Sequence, residues 1–310
     1  MAGSGGTKAV IAALLANMTI ALFKFIAYIL TGSSSMLAEA IHSVADSGNQ
    51  VLLLVGGKKA KRQASPQHPF GYGRERYIYS FLVAIVLFSV GGLFALYEAY
   101  EKFRHPHPIE GFWWWVPLVV LIGAIIAESF SIRTAIIESN KVRGSQGWFE
   151  FVRKAKSPEL PVILLEDFGA LMGLFFALCG VSLTLITGDS FWDAAGTAMI
   201  GLLLIVIAIL LALETKSLLL GESASRDDVR KIEEALTASA GTQIIHLKTL
   251  HLGPEELLVA AKIAVSRSDS GEDIAEEIDS AERRIREAVP IARVIYLEPD
   301  IRSAEATTEG

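Results

Sequence analysis

The chain of 310 residues is 52% hydrophobic and 20% charged, with a mean hydropathy of +0.43, whereas soluble domains carry about 25% charged residues. That balance excludes a disordered protein, a soluble nucleic-acid binder and a secreted disulfide scaffold, and puts the chain in the membrane class. Cys179 is the only cysteine, so neither an internal disulfide nor a thiolate metal cluster can form within the chain. From Glu222 onward, 11 Lys and Arg face 19 Asp and Glu, a net of −8, while the first 221 residues carry +2. Two domains are expected: an apolar membrane domain over 1–221 and an acidic polar domain over 222–310 with a polar tail.

A bilayer core of about 30 Å needs roughly 20 apolar residues per helix. Six stretches qualify, at about 8–30, 35–57, 77–100, 112–138, 160–187 and 192–214. The first carries Asn17 and Lys24 and shows no small-residue cleavage site, so it reads as a retained helix rather than a signal peptide. Lys24 is expected to snorkel to an interface.

The second stretch carries Glu39, His42, Asp46 and Asn49 at spacings of 3, 4 and 3, which puts them on one face of a helix. His42 and Asp46 are one turn apart, where an imidazole nitrogen and a carboxylate oxygen can bind one ion. A structural hydrogen bond is the plainer alternative for that pair alone. Charge near a bilayer centre is unfavourable by at least about 2.5–3.5 kcal/mol on insertion scales, so a row of such groups points to function.

The loop 58–76 holds six basic residues and the loop 139–159 holds five, whereas the opposite loops hold only Lys102 and Arg104. Eleven against two places both termini in the cytoplasm by the positive-inside rule. In the third stretch, Gly91-Gly92 permits close helix packing. In the fourth, Trp113, Trp114 and Trp115 read as an interfacial belt. Glu128 and Arg133 of that stretch are expected to pair with each other or with a neighbouring helix, a structural role.

The fifth stretch contains Glu166-Asp167 in an apolar run. Neighbours on a helix diverge by about 100°, so one carboxylate should face the second helix while the other meets a partner or an aqueous cavity. A divalent cation between the helices would offset their burial, and so would protons; that choice is the basis of an exchange mechanism. Asp193 opens the sixth stretch and is explained by the helix dipole. No nucleophile–base pair and no P-loop is present, so neither an enzyme nor an ATP-driven pump is expected.

In the tail, Ser225 is an N-cap for a helix to about Ser239. Alternating runs Thr242–Leu250 and Leu257–Val265 read as strands joined at Gly253-Pro254. A helix over about Gly271–Ala288 and a strand Ala292–Leu297 complete an α-β-β-α-β order, a small sheet with helices on one face. Association with a second copy would support so thin a core.

The run SSSMLAEAIHSVADSGNQ (Ser33–Gln50), the loop HPFGYGRER (His68–Arg76), six spans and a short α/β tail resemble the cation diffusion facilitators. The resemblance covers nearly the whole chain. It implies an all-α six-helix transmembrane domain followed by a small cytoplasmic α+β, ferredoxin-like (metallochaperone-like) domain. It also implies a homodimer that exports Zn²⁺, or another divalent metal such as Mn²⁺ or Fe²⁺, against protons by alternating access.

The family's transport site takes a His/Asp-xxx-Asp pair from helix 2 and another from helix 5. His42 and Asp46 match the first, and Asp167 matches the end of the second. The residue four before it is Ile163, with Glu166 the substitute ligand; this variant resembles the mitochondrial-type branch. A second family site in the loop after helix 2 is degenerate here, with His68 present but Ser65 and Tyr72 at the other positions. The tail keeps His246, His251 and Glu298 without the dense ligand set, and His246 reads as a surface residue.

The implied metal site is therefore His42, Asp46, Asp167 and Glu166. Zinc suits imidazole with carboxylates, and a site richer in oxygen would favour Mn²⁺ or Fe²⁺. An ordinary His pKa of about 6.5 makes His42 the natural proton-coupled group. A bacterial inner membrane is the expected location, with the bilayer, metal ions and protons as partners and no nucleic acid. Competing readings are a membrane-anchored metal sensor or scaffold, against which the scarcity of ligands in the tail argues, and a passive cation channel.

Overall fold

The computed structural model describes the backbone of residues 2–31, 34–106, 114–239 and 243–301, and their side chains except at 2–8, 30, 31, 34–39, 41 and 42. The chain divides into two compact units, one of residues 1–59 and 75–216, the other of 60–74 and 217–310.

The first unit holds six long helices: α1 (Ala2–Thr31), α2 (Ser34–Lys59), α3 (Glu75–Arg104), α4 (Val116–Arg143), α6 (Glu159–Thr187) and α7 (Phe191–Leu220). Among the described residues, five of them are long and apolar enough to cross a membrane. The other, α2, is 26 residues long, enough for a 30 Å hydrocarbon core at about 1.5 Å per residue. Its polar face and terminal lysines lower its mean hydropathy below that of its neighbours. The helix α1 packs against α2, α4 and α6, with α2 also on α3 and α4 on α6. Their outward faces leave large apolar side chains exposed, such as Leu22, Phe130 and Val206, the pattern of a bundle whose solvent is lipid.

Two local features depart from the sequence expectation. A seven-residue helix α5 (Trp148–Lys154) interrupts the basic loop, burying Phe151 and Val152 and leaving Phe149 exposed; seven residues are too few for a periodic signal to stand out. Within α3, Leu87–Leu93 is π-helical, at the Gly91-Gly92 pair. There a Cβ on Gly92 would sit 2.5 Å from Ile205 Cγ1 of α7. Asp193 does more than meet a helix dipole: Lys102 Nζ of α3 lies 3.1 Å from its Oδ2 and 3.1 Å from Thr197 Oγ1, tying α3 to α7.

The second unit contains α8 (Arg226–Leu236), β1 (Gln243–Gly253), β2 (Glu256–Ala264), α9 (Gly271–Ala288) and β3 (Ala292–Asp300). Ser225 caps α8 by accepting from the Asp228 amide, and Ser270 and Asp273 form a capping box on α9. The sheet order is β1-β2-β3, with β1 and β2 antiparallel and β2 and β3 parallel. Alternate residues Leu257, Val259, Ala261 and Ile263 of β2 point into a core with Ile232, Leu236 and Ile285 of the helices. The loop 60–74 belongs to this unit: a Cβ on Gly73 would lie 2.9 Å from the Leu252 carbonyl oxygen and 3.0 Å from the Gly253 Cα.

Candidate functional site

A cavity of about 60 Å³ lies inside the helical unit, room for more than one water or a partly hydrated ion. Its polar lining is Asn17 and Lys24 of α1, Ser43 and Asp46 of α2, Glu128 of α4, and Glu166 and Asp167 of α6. Leu87 of α3 and Ile200 and Leu204 of α7 close it on the apolar side. Gly169, Ala170, Gly173 and Ala177 keep the α6 wall small, which leaves the space open.

The adjacent carboxylates of α6 diverge as helix geometry requires, and both are buried. Glu166 turns to α2: its Oε1 accepts from Asn49 Nδ2 at 2.8 Å and its Oε2 from Gln50 Nε2 at 2.9 Å. Gln50 in turn accepts from Asn17 Nδ2 at 3.4 Å, which joins α1 to the same network. Asp167 turns to α4, where Ser131 Oγ donates to its Oδ2 at 2.7 Å. Its Oδ1 receives no bond from an amide or hydroxyl donor among the described residues, and the Glu128 carboxyl lies within hydrogen-bonding reach of Asp167, so the two can share a proton. Two facing carboxyls inside a low-dielectric bundle are strongly unfavourable when both are ionised, unless a cation or a shared proton lies between them.

Asp46 is half-buried and close enough that its charge acts on Glu128, Glu166 and Asp167. The side chain of His42, one turn earlier on α2, lies outside the described residues, as does that of Glu39. Among the described residues, no three His, Cys, Asp or Glu side chains are drawn together tightly enough to hold one ion. Ile163 is fully buried in the apolar core.

Two groups judged structural from the sequence are part of this cavity. Glu128 is 1% exposed and faces Asp167, not Arg133, which is exposed; five helical residues turn through about 140°, too far for a same-face pair. Lys24 is 4% exposed and lines the cavity instead of snorkelling. The signal for both was available as ionisable residues deep in apolar runs.

The other sequence candidates lie in the second unit. His68 is exposed and stacks on Tyr72 at 4.7 Å, and Tyr72 hydrogen-bonds Ser65 at 3.1 Å, with Arg62 over its ring. His246 is exposed, whereas His251 is buried with its Nδ1 3.3 Å from the Gly253 carbonyl.

Residues 10–220 match the cation efflux transmembrane domain. The chain belongs to the cation diffusion facilitator family. Similar proteins include a mitochondrial proton-coupled zinc antiporter of Mus musculus, 33% identical over 84% of this chain and 46% of the relative. Metal tolerance protein C4 of Arabidopsis thaliana is 27% identical over 83% of this chain and 56% of its own length. The metal cation efflux system protein CzcD of Cupriavidus metallidurans is 24% identical over 78% and 71%. The chain spans about half the length of the first two of these relatives. Membership of this family agrees with the apolar bundle and with the acidic cavity inside it.

Proposed function

We propose that the chain exports a divalent metal, Zn²⁺ first, in exchange for protons, through alternating access to the α2/α6 cavity. The observation that carries this reading is the buried Asp167 carboxyl, set against the Glu128 carboxyl in a cavity that also holds Asp46 and Glu166. Metal or protons are the two species that relieve such a site, and an exchanger alternates between them. The ligands we assign are His42, Asp46 and Asp167. Glu166 has both oxygens engaged by Asn49 and Gln50 and acts by holding α6 to α2 and tuning the coordination.

With the cavity open to the cytoplasm, the ion displaces protons from His42 and the carboxylates, because ligands bind metal in their deprotonated forms. Opening to the opposite side exposes the site to protons that compete the ion away. Imidazole plus carboxylates favours zinc, and the oxygen-rich lining leaves Mn²⁺ or Fe²⁺ as cargo in a second reading of the same site. We further propose a homodimer in a bacterial inner membrane with both termini cytoplasmic; eleven basic residues against two in the short loops support the orientation.

The test is zinc flux in proteoliposomes under an imposed pH gradient, for the natural chain and for Asp46→Ala and Asp167→Ala. Flux that follows the gradient and disappears in both variants is expected. Flux indifferent to the gradient would point to a passive channel. Flux absent for zinc, manganese and iron alike would leave the sensor or scaffold as the better reading.

A further inference from the structure

The cavity contains one cation of its own. A lysine in a span normally carries its ammonium to an interface, yet Lys24 is 4% exposed and lines the cavity together with Asp46, Glu128 and Asp167. Its neighbours Leu22, Phe23 and Ile26 are exposed on the lipid side of α1, so Lys24 is turned inward by the helix itself. Opposite it, Glu128 is 1% exposed on α4, one turn before the serine that holds Asp167. The Lys24 charge is close enough to act on Glu128. Neither residue belongs to the ligand set assigned above.

We infer that Lys24 is a tethered counter-cation of the cargo cavity, set among Asp46, Glu128 and Asp167, which stands in for the metal when the site is empty and weakens its binding when the site is filled. The inference rests on the export reading. With every group ionised, the cavity lining carries four negative charges and one positive. A divalent ion entering four unopposed carboxylates would be held too tightly to leave. An ammonium fixed among them lowers the field the ion meets and takes over part of it as the ion departs. Burial of a lone cation in a span is otherwise unfavourable, so the lysine and the acidic cavity account for each other.

Equilibrium binding of radioactive Zn²⁺ to the purified transporter, and gradient-driven zinc flux in proteoliposomes, would be measured for the natural chain, Lys24→Met, Lys24→Arg, Glu128→Gln and the double variant Lys24→Met/Glu128→Gln. Lys24→Met is expected to bind zinc about tenfold more tightly or better, with KM and kcat both lowered because release slows. Lys24→Arg keeps the charge and should stay within a few-fold of the natural chain. Glu128→Gln removes one carboxylate that offsets the ammonium, so it should weaken binding more when Lys24 is present than in the Lys24→Met background.

A well-folded Lys24→Met with unchanged Kd and KM would overturn the inference while wild-type flux upheld the transporter. No binding or flux in the wild type would overturn both. If Lys24→Met does not fold, Lys24→Arg and Glu128→Gln carry the test. Loss of zinc affinity in Lys24→Arg as large as in Glu128→Gln would then show that shape rather than charge matters.

Discussion

Asp167→Asn separates the ligand from the residue that holds it in place. The substitution keeps volume and the Ser131 hydrogen bond, and converts Oδ1 into an amide that can donate to the Glu128 carboxylate. Removing one unit charge about 4 Å from a divalent ion removes roughly 8 kcal/mol of gross attraction at an effective dielectric of about 20. Desolvation of ion and carboxylate offsets much of that. A net loss of about 3 kcal/mol is a reasonable remainder, or about a hundredfold in Kd for zinc.

The empty protein should respond in the opposite sense. Replacing one of two facing buried carboxyls by an amide donor removes their mutual repulsion, so the metal-free variant should melt at or above the natural chain's temperature. Glu166→Gln should behave differently. Asn49 has an unused buried Oδ1, so its amide can turn over to accept from the new side-chain amide, while Gln50 keeps its bond to the remaining oxygen. A mainly positioning role limits the loss of affinity to roughly 10–100-fold at most. Zinc titration and thermal melts with and without zinc read all four quantities. Natural zinc affinity in Asp167→Asn, with Glu166→Gln unable to bind, would refute this division of roles.

In the helical unit, Gly180→Ala should lower stability by about 1–3 kcal/mol, because its Cβ would sit 2.8 Å from the Trp192 carbonyl oxygen, backbone that cannot swing aside; the melting temperature in detergent checks it. Gly73→Val should detach the loop 60–74 from the β1–β2 turn, since the Leu252 and Gly253 backbone occupies the space a side chain needs. Hydrogen exchange should then rise in that loop, and unchanged protection there would contradict the packing. Ser270→Ala should weaken α9 by about 1 kcal/mol, seen as faster exchange in its first turn. The Ser270 hydroxyl and amide hold the Asp273 carboxyl below its ordinary range. Its contribution is therefore complete above about pH 4 and is lost as the pH falls through the lower folded value, so an acid titration should fray α9 in the natural chain and have less effect in Ser270→Ala.

The membrane helices were legible because bilayer thickness imposes a length and an apolar content that composition reveals. Tail strands were legible because one buried face imposes alternation, as at Leu257, Val259, Ala261 and Ile263. What escaped was whatever depends on which helix stands opposite. Glu128 and Lys24 lie deep in apolar runs, but a long lysine stem allows snorkelling, and a weak i,i+5 coincidence with Arg133 offered Glu128 a local partner. The bundle gives both residues partners on other helices, at sequence distances no periodicity encodes. Glu166 and Asp167 show the same division from the other side. Their 100° divergence is dictated locally, so it was foreseen that the two must part. Only the placement of Asn49 and Gln50 beside Glu166, and of Ser131 and Glu128 beside Asp167, decides which carboxylate is held by amides and which faces another carboxyl. A site in a membrane bundle is thus announced by the ionisable residues a span tolerates, and its division of labour by the neighbouring helices, whose amides engage one carboxylate and whose carboxyl is set against the other.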